Sequence, residues 1–384
     1  MIRITTLVAL VIGSLTMGFS QDKLTKADVI KNVYSFKLDT NALQLTGNGW
    51  DSLKKEMTLN HYVLMGEYHN SMLVSKLTEI FFSELKKNDF SVWMTEISPL
   101  AADKLNKLVR DKSYPKSIID FNKKYKKWSY SPIPFFSNSA DFDMLKASKK
   151  YGFDLWGIDQ DFFVGFDFVL DDVFHTLDDK MQIKYAALID SVHKSTNDKY
   201  YKELFTLIKT PEAQKIKKAL DASFAIYGDR TMAANSVRST LMKNNFFNYE
   251  LPYLKSNKPS PKVFFKAGSN HVARGYSSTK ILDIGETISQ FADMQSQKSL
   301  HIALAVRYEM EKKIKTDKLG DGDYPDELLA LYNENQWVVV DLRPFRSTVQ
   351  WMERNDKKID LSQTMIDAIK SFDFFILSPE IGGN

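Results

Sequence analysis

The fold class follows from one stretch, Tyr62-Val63-Leu64-Met65-Gly66-Glu67-Tyr68-His69-Asn70, in which a short apolar run stops at polar residues. An uninterrupted apolar run of this length is typical of a strand covered on both faces, as in a parallel sheet flanked by helices. Similar runs recur along the chain with helical stretches between them. The sequence therefore predicts an α/β fold with a largely parallel central sheet, and strands are expected at residues 62–65, 91–96, 154–158, 262–266, 300–305, 337–341 and 372–377.

A long interval separates the third and fourth predicted strands. Residues 161–260 hold no convincing strand, and apolar side chains recur there at helical spacing, as at Tyr185, Leu188 and Val192. We expect a helical insertion at this point. The chain is accordingly predicted to form a single α/β domain over residues 21–384.

Composition limits the chemistry. With 384 residues, 43 % of them hydrophobic, the chain can bury a sizeable core. The 52 basic and 48 acidic residues leave a formal charge of only +4, which excludes an acidic disordered protein and predicts no nucleic-acid partner. The absence of cysteine excludes disulfides, thiolate metal sites and a cysteine nucleophile.

The amino-terminal segment resembles a secretory signal peptide. Arg3 precedes an apolar run over residues 7–17, and Gly18 and Ser20 stand just before Gln21. We expect residues 1–20 to be removed and the mature protein to be exported, periplasmic or secreted. The alternative is a buried amino-terminal helix. No later segment approaches eighteen uninterrupted apolar residues, so no membrane span is expected after cleavage.

A second segment, residues 112–138, interrupts the alternation of predicted strands and helices. Lysines and aromatic residues alternate over residues 123–128, and Pro132 and Pro134 follow. This composition predicts a solvated, partly ordered loop. The alternative is a rim that contacts an anionic or aromatic ligand.

Polar residues follow four of the predicted strands. Because the carboxyl ends of parallel strands share one edge of the sheet, these residues are expected to converge. A histidine held by a carboxylate can accept a proton near neutral pH, so the converging set could activate water. Gly66 is expected to let the backbone turn sharply. The candidates are Glu67, Tyr68, His69, Asn70, Glu96, Asp159, Gln160, Gly268, Ser269, Asn270 and His271.

Other catalytic motifs are absent from the sequence. It contains no Gly-x-Ser-x-Gly, no Walker A loop and no His-Glu-x-x-His. These absences exclude the serine-hydrolase elbow, the P-loop and the zincin helix.

Several segments together resemble the erythromycin esterase-like superfamily, a group that also takes in haem-binding iron-regulated lipoproteins and Tiki-type metalloproteases. The resemblance covers residues 62–293 and agrees with the α/β fold. The segments that carry it are residues 64–70, Glu96, residues 157–159, residues 232–235 and residues 268–274.

The resemblance implies roles for individual residues. His69 would be the general base on water, with Glu67 and Glu96 as its orienters or as metal ligands. His271 would stabilise the developing oxyanion, and Arg230 would add positive charge. The residues assigned to substrate binding are Tyr68, Asp159, Gln160, Asn235 and Asn270.

Two positions depart from the esterase pattern. A single residue separates Glu67 from His69, where the esterases usually have two. Gly268 stands where the esterases carry a second histidine. The departures leave the architecture of the site in place and put the macrolide specificity in doubt.

Two functions are weighed for this site. The first is a hydrolase in which activated water attacks an ester, lactone or amide carbonyl of a small molecule. In one form of this hypothesis a divalent Zn, Mn or Fe ion assists the reaction and is held by Glu67, His69, Glu96 and His271. The second is an exported binding protein for haem or another planar apolar ligand, with Tyr68, His69 and His271 as axial ligands. Spacing alone does not choose between metal and no metal. His301, inside a predicted strand, is expected to be a buried structural residue.

Overall fold

The computed structural model describes residues 23–67, 69, 71–194, 198–228, 233–309, 314–315 and 325–379. The predicted signal peptide lies outside the described residues. The strands are β1 Leu24–Thr25, β2 Val33–Asp39, β3 Gln44–Thr46, β4 Tyr62–Glu67, β5 Phe90–Thr95, β6 Asp154–Gly157, β7 Lys262–Gly268, β8 Ser299–Ala305, β9 Tyr308–Glu309, β10 Ile314–Lys315, β11 Trp337–Asp341, β12 Ile359–Asp360 and β13 Phe374–Leu377.

Helices separate most of these strands. Short 3-10 helices cover Phe163–Gly165 and Asp326–Leu331. The α-helices are α1 Lys26–Ile30, α2 Asn48–Leu59, α3 Met72–Lys86, α4 Pro99–Leu108, α5 Lys116–Tyr125, α6 Ser139–Lys150, α7 Phe166–Phe174, α8 Asp179–Lys194, α9 Asp198–Leu207, α10 Pro211–Gly228, α11 Ala233–Ser256, α12 Ser269–Val272, α13 Ile284–Met294, α14 Arg343–Arg354 and α15 Gln363–Ser371.

A nine-stranded sheet organises the described residues in the order β3-β2-β11-β13-β8-β4-β7-β5-β6. From β13 to β6 every neighbouring pair is parallel, whereas β11 runs antiparallel to both β13 and β2. The prediction of an α/β fold with a largely parallel sheet is confirmed. Each of the seven predicted strands is present, and β2 and β3 are additional.

The sheet is covered on both faces, which explains the uninterrupted apolar runs. Along β4, Val63 and Met65 belong to one buried cluster together with Leu77 of α3. Tyr62 and Leu64, which point the other way, belong to a second cluster together with residues of α11 and α13. Alternate residues of one strand therefore serve two cores.

The interval between β6 and β7 is helical, as predicted. It carries one 3-10 helix followed by α7 to α11, and no strand occurs in the parts of residues 161–260 that the structure describes. Among the described residues, no helix has the length and apolar character needed to cross a bilayer.

Two local expectations were wrong. The excursion at residues 112–138 contains the helix α5, because Ile118 and Phe121 lie one turn apart and bury against the core between exposed lysines. Gly66 does not turn the chain; it lies inside β4, paired with β7 and β8. A Cβ atom there would lie 2.7 Å from Val272 Cγ2 and 2.8 Å from Ser269 Cα, so the glycine permits α12 to approach the sheet.

Candidate active site

The carboxyl ends of four adjacent strands bring the candidate residues together. β4 ends at Glu67, Glu96 follows β5, Asp159 follows β6, and β7 ends at Gly268. These strands are parallel neighbours in the order β4-β7-β5-β6, so their tips share one edge. Three of the four residues, Asp159 being the exception, line a cleft of about 1080 Å³.

His69 lies between two glutamates. Its Nδ1 atom is 3.3 Å from Glu67 Oε1, and its Nε2 atom is 3.5 Å from Glu96 Oε2. Both glutamate side chains are 5 % exposed, whereas the histidine side chain is 36 % exposed. The imidazole is therefore the member of this trio that a ligand in the cleft can reach.

Glu67 has a buried cationic partner. Lys266, from the middle of β7, is 3 % exposed and forms an ion pair with Glu67 Oε2. Burial would raise the pKa of Glu67, but the Lys266 ammonium and His69 outweigh it and hold that pKa below its usual value. Glu67 is therefore a carboxylate at neutral pH.

Glu96 accepts contacts on both of its oxygens. Arg238 Nη2 donates to Oε1 at 2.6 Å, and the Gly268 backbone N–H donates to Oε2 at 2.8 Å. His271 Nε2 lies 3.3 Å from Oε1. Although burial opposes ionisation, the surrounding His271, His69 and Arg238 hold the pKa of Glu96 well below its usual value.

Arg238 joins two of the strand tips. From α11 it donates through Nε to Asp159 Oδ1 at 2.9 Å and through Nη2 to Asp159 Oδ2 as well as to Glu96. This fork is the geometry in which a guanidinium binds carboxylates most strongly. The insertion is thereby anchored to the ends of β5 and β6.

His271 is held between two carboxylates. Its Nδ1 atom lies 2.8 Å from Oδ2 of Asp283, whose Oδ1 caps helix α13 by accepting from Ile284 N at 2.7 Å. Burial would lower the pKa of His271, but Glu96 and Asp283 raise it to about 10. His271 is therefore a cation at neutral pH.

The charges of the cluster balance only when His69 carries a proton. Burial lowers the pKa of His69, but Glu96 and Glu67 outweigh that effect and hold the pKa above its usual value. The cluster consequently favours a proton arriving on this imidazole. With His69 neutral, it contains four carboxylates and three cations, namely Glu67, Glu96, Asp159 and Asp283 against Lys266, Arg238 and His271.

Gly268 leaves the space that the imidazole occupies. A Cβ atom at this position would lie 2.9 Å from His69 Nε2 and 3.4 Å from Glu96 Oε2. Contacts of 2.9 Å are closer than a carbon and a nitrogen tolerate without movement. A histidine here, as in the esterase pattern, would displace the ring of His69 as the structure places it.

The other predicted residues have different outcomes. Asn270 lines the cleft and accepts from Ser278 Oγ at 2.6 Å. Gln160 follows Asp159, and its backbone N–H donates to Asp159 Oδ1 at 2.8 Å. Asn235 lies in the first turn of α11, outside the cleft lining. Their roles in substrate binding stay predictions, and Tyr68, Asn70 and Arg230 lie outside the described residues.

The sequence analysis missed three charged members of the cluster. Lys266 carried a signal, since a lysine inside an otherwise apolar strand needs a buried partner. Arg238 and Asp283 carried none, because their helices reach the site only through the tertiary fold. Arg238 brings positive charge to the site, and the same role for Arg230 stays a prediction.

As arranged, the proposed ligands do not fit a metal ion. Glu67 is already paired with Lys266, and Glu96 is paired with Arg238. The nitrogens of His69 and His271 face carboxylates and do not point to a shared centre. Among the described residues, no group of three or more histidine or acidic side chains could hold a metal ion. A Zn, Mn or Fe ion at this site stays a prediction.

Comparisons with known proteins place the fold. No family model matches the sequence, and neither does any curated protein. A succinoglycan biosynthesis protein superposes with a TM-score of 0.57 at 14 % identity, over 94 % of this chain and 98 % of that one. A mutant of the erythromycin esterase EreC in its open conformation superposes with a TM-score of 0.53 at 12 % identity, over 91 % and 98 %. A Bacillus cereus protein gives 0.53 at 14 % identity, over 91 % and 95 %.

The similarity extends over nearly the whole of each chain. The fold expected from the resemblance to the erythromycin esterase-like superfamily is confirmed, since this chain shares the fold of the erythromycin esterase EreC. At identities of 12 to 14 % the comparison carries no information about substrate.

Proposed function

We propose that the protein is a hydrolase in which His69 activates water for attack on the carbonyl carbon of an ester or lactone. One observation carries this proposal: a partly exposed imidazole lies in a large cleft between two buried carboxylates. A general base needs both access to water and a neighbour that stabilises its protonated form.

The reaction would begin with His69 in one tautomer. Glu67 Oε1 faces Nδ1 and favours the proton on that nitrogen, which leaves the Nε2 lone pair to accept a proton from water. The oxygen of that water forms a bond to the carbonyl carbon as its proton passes to Nε2. The resulting imidazolium is stabilised by Glu67 and Glu96.

The tetrahedral intermediate carries a negative charge. Because both nitrogens of His271 face carboxylates, we assign to His271 and Arg238 a stabilisation by positive charge rather than a direct hydrogen bond to the oxyanion. The carbon–oxygen bond of the ester then breaks, and protonated His69 returns its proton to the departing alkoxide. The cycle ends with the acid, the alcohol and a neutral His69.

A panel of activated esters, lactones and macrolides tests this proposal. Replacing a general base removes about 100- to 10,000-fold of rate, so we expect His69→Ala to lose at least 100-fold in kcat while its unfolding temperature stays close to that of the parent protein. His175→Ala, which alters an exposed histidine at the carboxyl end of helix α7 and outside the cleft lining, is the matched control and should keep full activity.

Two results would contradict the proposal. Turnover retained in His69→Ala would remove His69 from the mechanism. Background rates on every substrate in the parent protein and both variants would rule out the hydrolase hypothesis. A haem titration followed by its Soret band would then test the binding alternative. That alternative has no specific structural observation behind it, since Tyr68 lies outside the described residues and both nitrogens of His271 face carboxylates.

We also propose that the protein is exported, on the strength of its first twenty residues. Amino-terminal sequencing of the protein recovered from its producing cell should find a mature start near Gln21. A protein that retains Met1 would contradict this.

A further inference from the structure

We propose that Phe135 is a positioning residue whose ring holds the imidazole of His69 in its working orientation. The inference rests on the proposed function, because it concerns the base of that reaction. The two rings stack, with centroids 4.4 Å apart and planes inclined by 19°. Phe135 is half-buried at the edge of a core cluster, so its position is fixed on one side by the core.

The backbone of Phe135 is strained. Its φ angle is +66°, in the left-handed region that residues with a Cβ atom adopt only at a cost. Such conformations persist where the surrounding structure enforces them, and they concentrate at functional sites. Here the strained residue is the one whose side chain covers the candidate base.

The segment around Phe135 is anchored on both sides. Ile133 is fully buried and Phe136 is 1 % exposed. The Phe136 carbonyl accepts from Asn122 Nδ2 at 2.9 Å, and the Ser137 N–H donates to Asp141 Oδ2 at 3.1 Å. These contacts hold the backbone on either side of Phe135, so the ring is presented to His69 from an anchored segment.

The contacts of His69 with carboxylates do not by themselves fix the orientation of its ring. At 3.3 and 3.5 Å they are longer than strong hydrogen bonds, and contacts made through the ring nitrogens do not restrain the face of the imidazole. A ring stacked on its face restrains the tilt that those contacts leave free. Gly268, which has no side chain to press on the Nε2 edge, keeps that edge open.

This assignment gives residues 112–138 a role. The sequence left open whether they form a solvated loop or a rim that contacts a ligand. We infer that their last turn serves the protein's own histidine.

Three variants and two measurements test the proposal. Phe135→Gly removes the ring at a φ angle that glycine adopts freely, so the backbone gives no reason for misfolding. Phe135→Tyr keeps the ring face. Phe247→Leu, at a 39 % exposed phenylalanine of α11 outside the cleft lining, is the matched control.

The first measurement does not need a substrate. In a proton NMR spectrum the imidazole signal of His69, identified by its loss in His69→Ala, should be shifted upfield by the stacked ring. We expect Phe135→Gly to abolish this upfield shift, and Phe135→Tyr and Phe247→Leu to retain it. A His69 signal that does not move in Phe135→Gly would overturn the assignment even if the protein proves to be a hydrolase.

The second measurement is kinetic. Misplacing a reacting group costs up to about 100-fold in rate, so Phe135→Gly should lower kcat by about 10- to 100-fold with KM changed less than about twofold, and Phe135→Tyr should restore kcat. A loss confined to KM, or no rescue by tyrosine, would reduce Phe135 to a packing residue. If no variant and no parent protein turns over any substrate, the proposed function fails while the NMR result still decides whether Phe135 orients the ring.

Discussion

Single atoms decide the geometry around His69. Gly268 is the clearest case, since one added methyl group would lie 2.9 Å from the imidazole nitrogen. Lys266 is another, because its ammonium keeps a buried glutamate ionised two residues from the base. The site is therefore sensitive to changes that leave the rest of the fold untouched.

Gly268→Ala should displace His69 and lower kcat by about tenfold or more. The φ angle of Gly268 is −58°, which alanine accepts, so the unfolding temperature should change little. Gly228→Ala is the control, since a Cβ atom there meets nothing within 4 Å. Equal kcat for Gly268→Ala and Gly228→Ala would show that His69 has room to move.

The pH dependence of hydrolysis should report the raised pKa of His69. The base must be neutral to accept a proton, so kcat/KM rises with pH and its midpoint is expected above 6.5, the usual value for histidine. Glu67→Gln removes a carboxylate that raises this pKa and leaves Lys266 unpaired beside it, so the midpoint should move to lower pH. His175→Ala should leave it in place. A parent midpoint at or below 6.5 would contradict the charge arrangement described here.

Three residues close to the proposed chemistry were predictable from the sequence, and their partner Arg238 was not. Glu67, His69 and Glu96 stand at strand ends, where parallel topology alone makes polar side chains converge. Arg238 reaches the site from a helix, and no spacing along the chain reveals which face of that helix meets the sheet.

At the scale of elements, strands buried on both faces were recognisable and partly exposed ones were not. β4 and β11 contain uninterrupted apolar runs because two cores cover them. β2 was missed because it is only partly buried and carries Lys37 and Asp39. Helix α5 was missed because it contains two buried residues among several lysines, too few to give a clear apolar pattern.

Helix α11 contains a second testable carboxylate. Glu250 is fully buried, and its Oε1 atom accepts from the Tyr62 hydroxyl at 3.2 Å. Burial raises its pKa from 4.5 to about 7. Because the folded state holds this proton more tightly than the unfolded chain, the stabilising contribution is complete below pH 4.5 and is lost as the pH rises through 7.

We therefore expect the free energy of unfolding to fall by about 3 kcal/mol between pH 4.5 and pH 8 on account of this group. Glu250→Gln should remove that part of the pH dependence and make the protein more stable at pH 8. Urea unfolding at both pH values measures it, with Glu334→Gln, at an exposed position, as the control. An unchanged pH dependence in Glu250→Gln would mean that Glu250 is ionised in the fold.

For the molecule as a whole, stability should be greatest at the centre of the sheet. β4, β7 and β8 are almost wholly buried and each is paired on both sides, whereas the insertion helices carry many exposed residues. Hydrogen exchange followed by mass spectrometry should show the slowest exchange in these strands and faster exchange across α8 to α10. Exchange as slow in α8 to α10 as in β4 would contradict this ranking.

The position of β13 in the sheet has a consequence for how the chain is made. β2, β3 and β11 join the parallel strands only through β13, which the ribosome synthesises after every other strand of the sheet. The hairpin of β2 and β3 is among the first parts of the chain to be synthesised. It is connected to the parallel strands through β11 and β13, and residues 374–377 of β13 are made last. During synthesis this hairpin has no partner strand until β11 has been made, and the three strands join the parallel part of the sheet only when β13 follows.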